Sequence, residues 1–497
     1  MYKPTLPQFL DLAKTSNLIP IYREVLADLD TPVSAYLKLG TQPYSYLLES
    51  VERGERLGRY SFLGLDPFLV FQVDSQRRAT FTYHDGTQKT HEPSKDPLSL
   101  LEEAMSRFQV ATSPSLPIFF GGAVGYVGYD AVKWWEKLPN EQRESLNLPD
   151  IVFTIANTVL IFDHLDHKLK IVSYAFVDGT SPEFVYRQAT TRIQSVIKQL
   201  YTAPRPARTV TPTRSSPAPT ASNLTKEQFV KSVRRAKQYI TRGDIFQVVL
   251  SQRLSRKTAA EPFNLYRILR SLNPSPYMYY LQCGEFSVVG SSPEILVRKE
   301  GTEVILRPIA GTRPRGKTEE EDERLADELL HDEKERAEHI MLVDLGRNDV
   351  GRVCKYGSVG VKELFSIERY SHVMHLVSEV RGTLRDDVGA FDLFRACFPA
   401  GTVSGAPKVR AMQIIEELEP SHRGPYAGAL GYFSFSGNMD TCIIIRTMII
   451  RDGTAYMQAG GGIVADSDPE REYTETMNKA QALIRTIDMA EEGGEWL

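Results

Sequence analysis

Apolar and polar residues follow two different periods along the chain. Short runs rich in β-branched and aromatic residues predict strands at 69–73, 151–155, 169–173, 246–251, 286–290 and 441–445. Longer stretches predict helices, among them one around 334–341 and a long one that opens at Arg471. The strands follow one another as hairpins and are not separated by regular crossover helices. We therefore predict an α+β fold with large antiparallel β-sheets, not a doubly wound sheet.

One segment interrupts this alternation. Residues 203–222 contain five prolines and no acidic residue, so they bury too little apolar surface to offset the entropy lost on ordering. We predict a linker there, between an N-terminal subdomain, 1–202, and a second domain, 223–497. A chain of 497 residues also exceeds the roughly 250–300 at which a single core stops growing. The prediction is two intertwined subdomains whose sheets pack against surrounding helices.

Composition excludes several classes of protein. A net charge of −4 gives no indication of nucleic-acid binding, and the four cysteines form no CxxC pair, which fits a reducing compartment. The N-terminus lacks the basic-then-apolar pattern of a signal peptide. The most apolar late run, 442–450, is far shorter than the roughly 20 residues of a membrane span and contains an arginine. We expect a cytoplasmic protein.

Two acidic pairs with the same spacing lie in the predicted helices. Glu335 and Glu338 form one pair, and Glu472 and Glu475 form the other. Because residues three apart share a helical face, each helix can present two carboxylates to one point. Four carboxylates around one point repel each other unless a cation lies among them, and oxygen ligands suit Mg²⁺. The alternative is two solvated acidic faces, which the spacing alone favours.

Glycines precede the second acidic pair. Gly460, Gly461 and Gly462 end a strand-like run, and their backbone amides can form an anion-binding nest. A tight turn that needs positive φ is the alternative. The segment 401–408 is similar to a phosphate-binding loop, but Pro407 precedes its lysine where that pattern needs glycine. Nucleotide binding is therefore not predicted.

Six sequence blocks then become recognisable in one order along the chain. They are residues 247–253, 290–294, 307–313, 337–349, 401–408 and 460–475. Two further blocks, 46–50 and 58–64, extend the similarity into the N-terminal half. Together they resemble the chorismate-utilising enzymes, and within that family the anthranilate synthase large subunits. The resemblance covers nearly all of residues 224–488.

The resemblance implies a Mg²⁺-dependent lyase of tryptophan biosynthesis. Chorismate and ammonia would give anthranilate and pyruvate through an aminated cyclohexadiene intermediate. Glu338 and Glu475 would be the principal Mg²⁺ ligands, supported by Glu335 and Glu472. The positions that match substrate-binding residues of the family are Gly311, Thr312, Tyr426, Arg446, Gly460, Gly461 and Gly462. A structural ion pair is the alternative role for the arginine.

The resemblance also implies catalytic roles. Glu294 matches the general acid that protonates the departing ring hydroxyl, which requires a carboxyl with a raised pKa. His375 matches a histidine associated with the elimination of pyruvate, and Thr312 is a further candidate catalytic residue. Gln247 occupies the position where water-adding relatives carry a lysine base. Ammonia needs no such base, so a neutral glutamine fits an aminating enzyme.

Two other functions stay open at this point. The folate-branch relative, aminodeoxychorismate synthase component I, carries a nucleophilic lysine where this chain has Ala310, which argues against that enzyme. A non-catalytic regulatory homologue would bind chorismate or tryptophan without turnover. The retention of the acidic, histidine and arginine positions together argues against such a homologue.

The ammonia source is expected to be a second protein. Glutamine amidotransferase chemistry needs an activated cysteine, and no cysteine here lies in a Gly-x-Cys-x-Gly elbow. The resemblance therefore implies a glutaminase subunit, anthranilate synthase component II, as a partner.

The N-terminal half is expected to carry part of a regulatory site. Residues 47–50 and 273–279 resemble the two elements that form the tryptophan pocket of feedback-inhibited family members. The implied contacts of the inhibitor are Ser50, Pro276, Tyr277 and Met278. The alternative is that the prolines shape a turn and the leucines belong to the core.

Overall fold

A computed structural model describes residues 1–40, 42–50, 58–139, 143–202, 218–370 and 373–492. Most of the predicted linker, residues 203–217, lies outside the described residues. The linker and the division into two domains therefore stay predictions.

Eleven helices and twenty-two strands make up the described part of the chain. The helices are α1 Leu6–Leu12, α2 Pro32–Leu39, α3 Leu98–Ser106, α4 Pro182–Leu200, α5 Lys226–Thr241, α6 Pro262–Leu272, α7 Glu319–His331, α8 Glu333–Gly351, α9 Ala390–Cys397, α10 Lys408–Leu418 and α11 Pro469–Glu491. The strands are β1 Leu18–Leu26, β2 Tyr46–Glu49, β3 Tyr60–Val73, β4 Ala79–Tyr83, β5 Gln88–His91, β6 Gly122–Val127, β7 Ile151–Asp163, β8 Lys168–Phe176, β9 Ala221–Ser222, β10 Gln247–Lys257, β11 Tyr277–Gln282, β12 Phe286–Ser292, β13 Ile295–Glu300, β14 Glu303–Leu306, β15 Ile309–Pro314, β16 Gly360–Arg369, β17 Val373–Thr383, β18 Gly405–Ala406, β19 Ala429–Ser434, β20 Met439–Ile443, β21 Thr447–Arg451 and β22 Thr454–Ile463. Two 3₁₀ segments, Tyr129–Trp134 and Gly401–Val403, complete the set.

Strands from both halves of the chain form one hydrogen-bonded network. From β10 the neighbours run β22, β21, β12, β11, β2, β3, β7, β6, β19, β20, β13, β14 and β17. The N-terminal strands lie between C-terminal ones, since Leu48 opposes Tyr279 and Tyr126 opposes Leu430. Every strand pairing in the described ranges is antiparallel. The α+β prediction with intertwined antiparallel sheets is confirmed.

Both halves also share their hydrophobic core. One large cluster joins Leu47 of β2, Phe263 of α6, Met448 of β21 and Leu483 of α11, all buried. Helix α11 packs against α5, α6 and β22, while α5 lies over β10 and α6 over β12. Burial of this apolar surface holds α11, which carries one acidic pair, against the strand that carries the three glycines.

Most strand predictions are confirmed, with one exception. The run 441–445 is not a single strand, because β20 ends at Ile443 and β21 begins at Thr447. Arg446 lies in the turn between them with φ of 53°, in the left-handed region. The apolar run 442–450, which contains Arg446, is therefore divided between two strands and a turn. Among the described helices, none combines the length and apolar character that a bilayer crossing requires.

Candidate active site

Helix α8 presents the first acidic pair above β15. Asp332 begins this helix, and its carboxylate accepts hydrogen bonds from the amides of Lys334 and Glu335. Oε2 of Glu335 lies only 3.1 Å from the position that a Cβ on Gly311 would take. Gly311 has φ of 64°, so a side chain there is disfavoured by conformation as well as by space. The glycine lets β15 approach the acidic helix.

Helix α11 presents the second acidic pair above β22. Asp468 caps this helix by accepting hydrogen bonds from two first-turn amides. Oε2 of Glu472 lies 3.0 Å from the Cβ position of Gly461. Glu475, one turn further along, shares this face of the helix. The second pair therefore faces the glycine strand, as the first faces Gly311.

The two acidic pairs act on each other electrostatically. Burial raises the pKa of Glu338, Lys334 acts in the opposite sense, and Glu335, Glu472 and Glu475 raise it further. Burial is also the main cause of the raised pKa of Glu472. Glu338 thus lies within electrostatic reach of the other three carboxylates. Glu338 and Glu472 are partly buried, whereas Glu475 is half exposed to solvent.

The donor set fits a hard divalent cation. Within the described residues, no group of three or more His, Cys, Asp or Glu side chains is arranged to hold a metal ion by itself. Mg²⁺ typically takes only one or two protein carboxylates and completes its shell with water and substrate oxygens. Glu338, whose pKa is raised by burial, and Glu475, which is half exposed beside Lys479, suit that pattern.

The three glycines lie within β22 and open a wall of the site. None of Gly460–Gly462 has positive φ, so the tight-turn alternative is wrong. A Cβ on Gly460 would lie 2.8 Å from the hydroxyl of Tyr426. A Cβ on Gly462 would lie 2.3 Å from Nε2 of Gln247, whose Oε1 is buried without a partner in the described part. The absence of side chains lets both polar groups reach the strand.

His375 and Thr312 are cross-strand partners on β17 and β15. Nδ1 of His375 lies 3.0 Å from the carbonyl oxygen of Gly311 and 3.1 Å from Oγ1 of Thr312. A proton on Nδ1 satisfies that carbonyl, which leaves Nε2 as an acceptor. Burial lowers the pKa of His375, and this keeps the imidazole neutral and able to accept a proton.

Arg446 is a partly buried cation with spare binding capacity. Its Nη1 donates to the carbonyl oxygen of Lys479 at 2.7 Å. Among the described side chains no carboxylate lies within ion-pair distance, so the structural ion pair considered as its alternative role is absent there. Burial lowers the pKa of Arg446, while Tyr426 and Glu475 raise it. A guanidinium in this setting suits a carboxylate ligand.

Glu294 follows β12 and is fully buried beside the 3₁₀ segment Gly401–Val403. Burial raises the pKa of this carboxyl to about 8, although the Thr402 hydroxyl and the Lys479 ammonium act in the opposite sense. Glu294 is therefore protonated at neutral pH. A neutral carboxyl inside a cavity can donate its proton to a leaving group.

Lys479 is a site residue that the sequence analysis missed. Its Nζ lies 2.7 Å from Glu475 and donates to the carbonyl oxygen of Gly460 at 3.0 Å. The positive charge of Lys479 also lowers the pKa of Glu294, against the larger effect of burial. The signal was present, because a lysine four residues after Glu475 shares its helical face. This cation joins α11, the glycine strand and the buried acid.

The residues predicted to contact tryptophan lie on two paired strands. Met278 of β11 opposes Glu49 of β2, and Ser50 follows directly. Oγ of Ser50 is buried without a partner among the described residues. Pro276 and Met278 are buried, whereas the hydroxyl of Tyr277 already donates to a carboxylate on β20. The structure thus brings these four positions together and leaves one hydroxyl unsatisfied.

Comparisons with known proteins agree with this architecture. The model of the chorismate binding enzyme family matches residues 45–485. Anthranilate synthase component 1 of Acetivibrio thermocellus is 51% identical over the full length of both chains. The protein of that name from Pseudomonas putida is 49% identical over 98% of each chain.

Solved structures show the same fold. Anthranilate synthase component I from Streptococcus pneumoniae superposes with a TM-score of 0.76 at 37% identity, over 92% of this chain and 98% of that one. The menaquinone-specific isochorismate synthase from Escherichia coli, at 20% identity and a TM-score of 0.71 over 97% and 98% of the two chains, shares the fold. The family model covers most of the chain, and relatives about 50% identical to it span its whole length. Both findings assign the chain to the same family. The chain belongs to the family of chorismate-binding enzymes.

Proposed function

We propose that the chain is the synthase component of an anthranilate synthase and converts chorismate and ammonia to anthranilate, pyruvate and water. The observation that carries this proposal is the protonated Glu294, buried in the same site as two facing acidic pairs and a partly buried Arg446. Chorismate is a dianion with a departing hydroxyl, so it needs a cation, an anion-binding arginine and an acid. Gln247 and Ala310 offer neither a base for water nor a nucleophilic amine.

Different residues of the chain bind the substrate and transfer protons to and from it. Arg446 and the hydroxyl of Tyr426 bind and orient substrate carboxylate on one side, and Gly311 and Thr312 form the opposite wall. The buried carboxyl of Glu294 donates its proton to the ring hydroxyl, which leaves as water while ammonia forms the new C–N bond. Nε2 of His375 then accepts the ring proton as the enolpyruvyl C–O bond breaks, and the enolpyruvyl methylene carbon gains a proton to give pyruvate.

Glu338 and Glu475 would hold Mg²⁺, with Glu335 and Glu472 in support. When bound, the ion supplies Lewis-acid polarisation and a template for the ring carboxylate. Without a cation the four carboxylates would repel the substrate dianion. The proposal therefore includes an absolute requirement for a divalent cation.

The proposal includes a separate glutaminase as the ammonia donor. The relatives are named component 1, which denotes one part of a larger enzyme. All four cysteines are buried, and burial raises the pKa of the Cys283, Cys397 and Cys442 thiols. A nucleophilic cysteine needs the opposite setting, an accessible thiolate. The chain alone should use ammonium salts and not glutamine.

The first test is a fluorescence assay of the purified chain with chorismate, Mg²⁺ and ammonium. We expect fluorescent anthranilate that appears only with the metal and is suppressed by tryptophan. Turnover with glutamine in place of ammonium would contradict the separate glutaminase. Chorismate consumption without anthranilate would contradict the assigned product and point to the folate-branch or a water-adding reaction.

Replacement of Gln247 with lysine should change the nucleophile. A lysine at this buried position has a lowered pKa, so its neutral amine can deprotonate water. We expect anthranilate formation to fall at least about tenfold, with isochorismate or salicylate appearing among products separated by liquid chromatography. Gln247→Met, of similar length and without a base, is the control. Absence of hydroxylated product from Gln247→Lys would contradict the role assigned to this position.

Replacement of Ser50 with phenylalanine should weaken tryptophan inhibition. The Ser50 hydroxyl is buried and has no partner among the described residues, so a ligand can bind it, and a phenyl ring would occupy that space. We expect the inhibition constant to rise at least about tenfold while kcat changes less than about twofold. Ser50→Ala, which removes only the hydroxyl, should give a smaller rise. Normal inhibition of Ser50→Phe would place the inhibitor elsewhere.

A further inference from the structure

His339 follows Glu338 directly and points away from the proposed metal site. Its side chain is fully buried, and Nε2 lies 2.6 Å from Oγ of Ser378 on β17. Its ring also packs against Phe365, with centroids 5.6 Å apart. The mechanism uses none of these groups. A buried, directed hydrogen bond beside the acidic pair therefore needs an explanation.

Ser378 connects three elements of the site. Its Oγ accepts a hydrogen bond from the amide of Phe365 at 3.1 Å, in addition to its contact with His339. Its own amide donates to the carbonyl oxygen of Pro308, which directly precedes β15. The serine also lies three residues after His375 on the same strand. The side chain of Ser378 thus links α8 to β16 and β17, and its backbone amide links β17 to the start of β15.

His339 is one of a few directed contacts that can fix the rotation of the acidic half of α8. The guanidinium of Arg336 lies 4.1 Å from the centroid of the Phe365 ring. Arg313 pairs with Asp332 at the start of the helix and with Glu335 at 3.5 Å.

From Glu333 to Leu342, His339 is the one fully buried residue, and the buried apolar residues, Val343 and Val350, lie further along. Apolar packing is non-directional, whereas a hydrogen bond is sensitive to distance and angle. Each residue of an α-helix is turned about 100° from the next around the helix axis. A rotation of α8 about its axis by a fraction of that angle would turn Glu335 and Glu338 away from the site.

We propose that His339 and Ser378 are positioning residues that set the rotation of α8 and so aim Glu335 and Glu338 at the divalent cation. The inference rests on the proposed metal site. It states which residues outside that site determine cation affinity. The hydrogen bond between Nε2 and Oγ is the contact that carries this role.

The test compares Mn²⁺ affinity, measured by electron paramagnetic resonance, across matched variants of the full chain. Ser378→Ala and His339→Asn remove the contact, because the asparagine amide ends at the position of Nδ1. His339→Gln places its terminal amide at the reach of Nε2 and should restore the contact. Ser366→Ala is the control, since this neighbouring serine donates only to the carbonyl oxygen of Val377 and does not touch α8.

We expect Ser378→Ala and His339→Asn to raise the Kd for Mn²⁺ at least about tenfold. His339→Gln and Ser366→Ala should stay within about threefold of the unmodified chain. A lowered Tm with unchanged Kd in Ser378→Ala and His339→Asn would overturn the proposal, because the contact would then be merely structural.

A second measurement separates this inference from the metal assignment. Amide hydrogen exchange of residues 335–342, without metal, should be faster in Ser378→Ala than in the unmodified chain or Ser366→Ala. Unchanged exchange would overturn the positioning role. Failure of the unmodified chain to bind Mn²⁺, with faster exchange in Ser378→Ala, would instead overturn the metal site and leave the anchoring of α8 in place.

Discussion

Glu294→Gln should reduce kcat for anthranilate formation by about 1,000-fold, within the range that a positioned general acid contributes. Glutamine keeps the shape and the burial of Glu294 but has no acidic proton to give to the departing hydroxyl. The measurement is steady-state anthranilate fluorescence at saturating chorismate, ammonium and Mg²⁺. Glu285→Gln, on an exposed carboxylate before β12, should retain full activity.

The same acid predicts the pH dependence of the unmodified chain. Because the pKa of Glu294 lies at about 8 in the unliganded chain, the protonated fraction and kcat/KM should both fall as the pH rises through 8. A profile without this alkaline limb, or an active Glu294→Gln, would contradict the assignment of the general acid.

Glu294→Gln should also stabilise the chain, with a definite pH dependence. The pKa of Glu294 is raised from an ordinary value of 4.5 to about 8, so the unfolded chain releases this proton at lower pH than the folded one. The stability of the unmodified chain therefore declines between pH 4.5 and 8. The free energy of unfolding of the variant should exceed that of the unmodified chain by less than about 0.5 kcal/mol at pH 4.5 and by about 3 kcal/mol at pH 7, measured by urea denaturation without ligands. A variant that is less stable at pH 7 would contradict the raised pKa.

Glu338→Gln should lower kcat by at least about 100-fold and raise the Mg²⁺ concentration needed for half-maximal activity. The amide removes one negative charge and one strong oxygen ligand from the shared space between α8 and α11. A titration of activity with Mg²⁺ separates the loss of affinity from the loss of turnover.

Glu333→Gln supplies the matched control for that titration. Glu333 lies on the first turn of α8 but is exposed to solvent. Its replacement should change neither quantity by more than about twofold. Full activity of Glu338→Gln at an unchanged Mg²⁺ requirement would contradict the assignment of Glu338 as a metal ligand.

Local pattern was enough to predict the fold class and the two acidic helices. Runs rich in β-branched and aromatic residues mark strands such as β7 and β12. Three-residue spacing marks the shared helical faces of Glu335 with Glu338 and of Glu472 with Glu475. These signals operate over a few residues, so tertiary contacts need not be known. The roles of single residues required the family resemblance in addition.

Other features could not be read from local pattern. The apolar run around Arg446 reads as one strand, but a turn with positive φ interrupts it where the guanidinium reaches the end of α11. The role of Lys479 depends on the fold, which places Gly460 against its ammonium. The link between His339 and Ser378 spans 39 positions of sequence. Such long-range contacts leave no periodic signal in the chain.

The interleaved strand order has a consequence for how this chain can be divided. Separating residues 1–202 from residues 223–497 would strip β2 from β11 and β6 from β19, which exposes unpaired backbone along four strands. Open edges of this kind recruit other chains and aggregate. A protein nicked in the connecting segment should therefore remain one particle, whereas either fragment made alone should precipitate. A chimera that joins the N-terminal half of one relative to the C-terminal half of another must preserve the β2–β11 and β6–β19 pairings. The two parts of the gene are therefore constrained to change together.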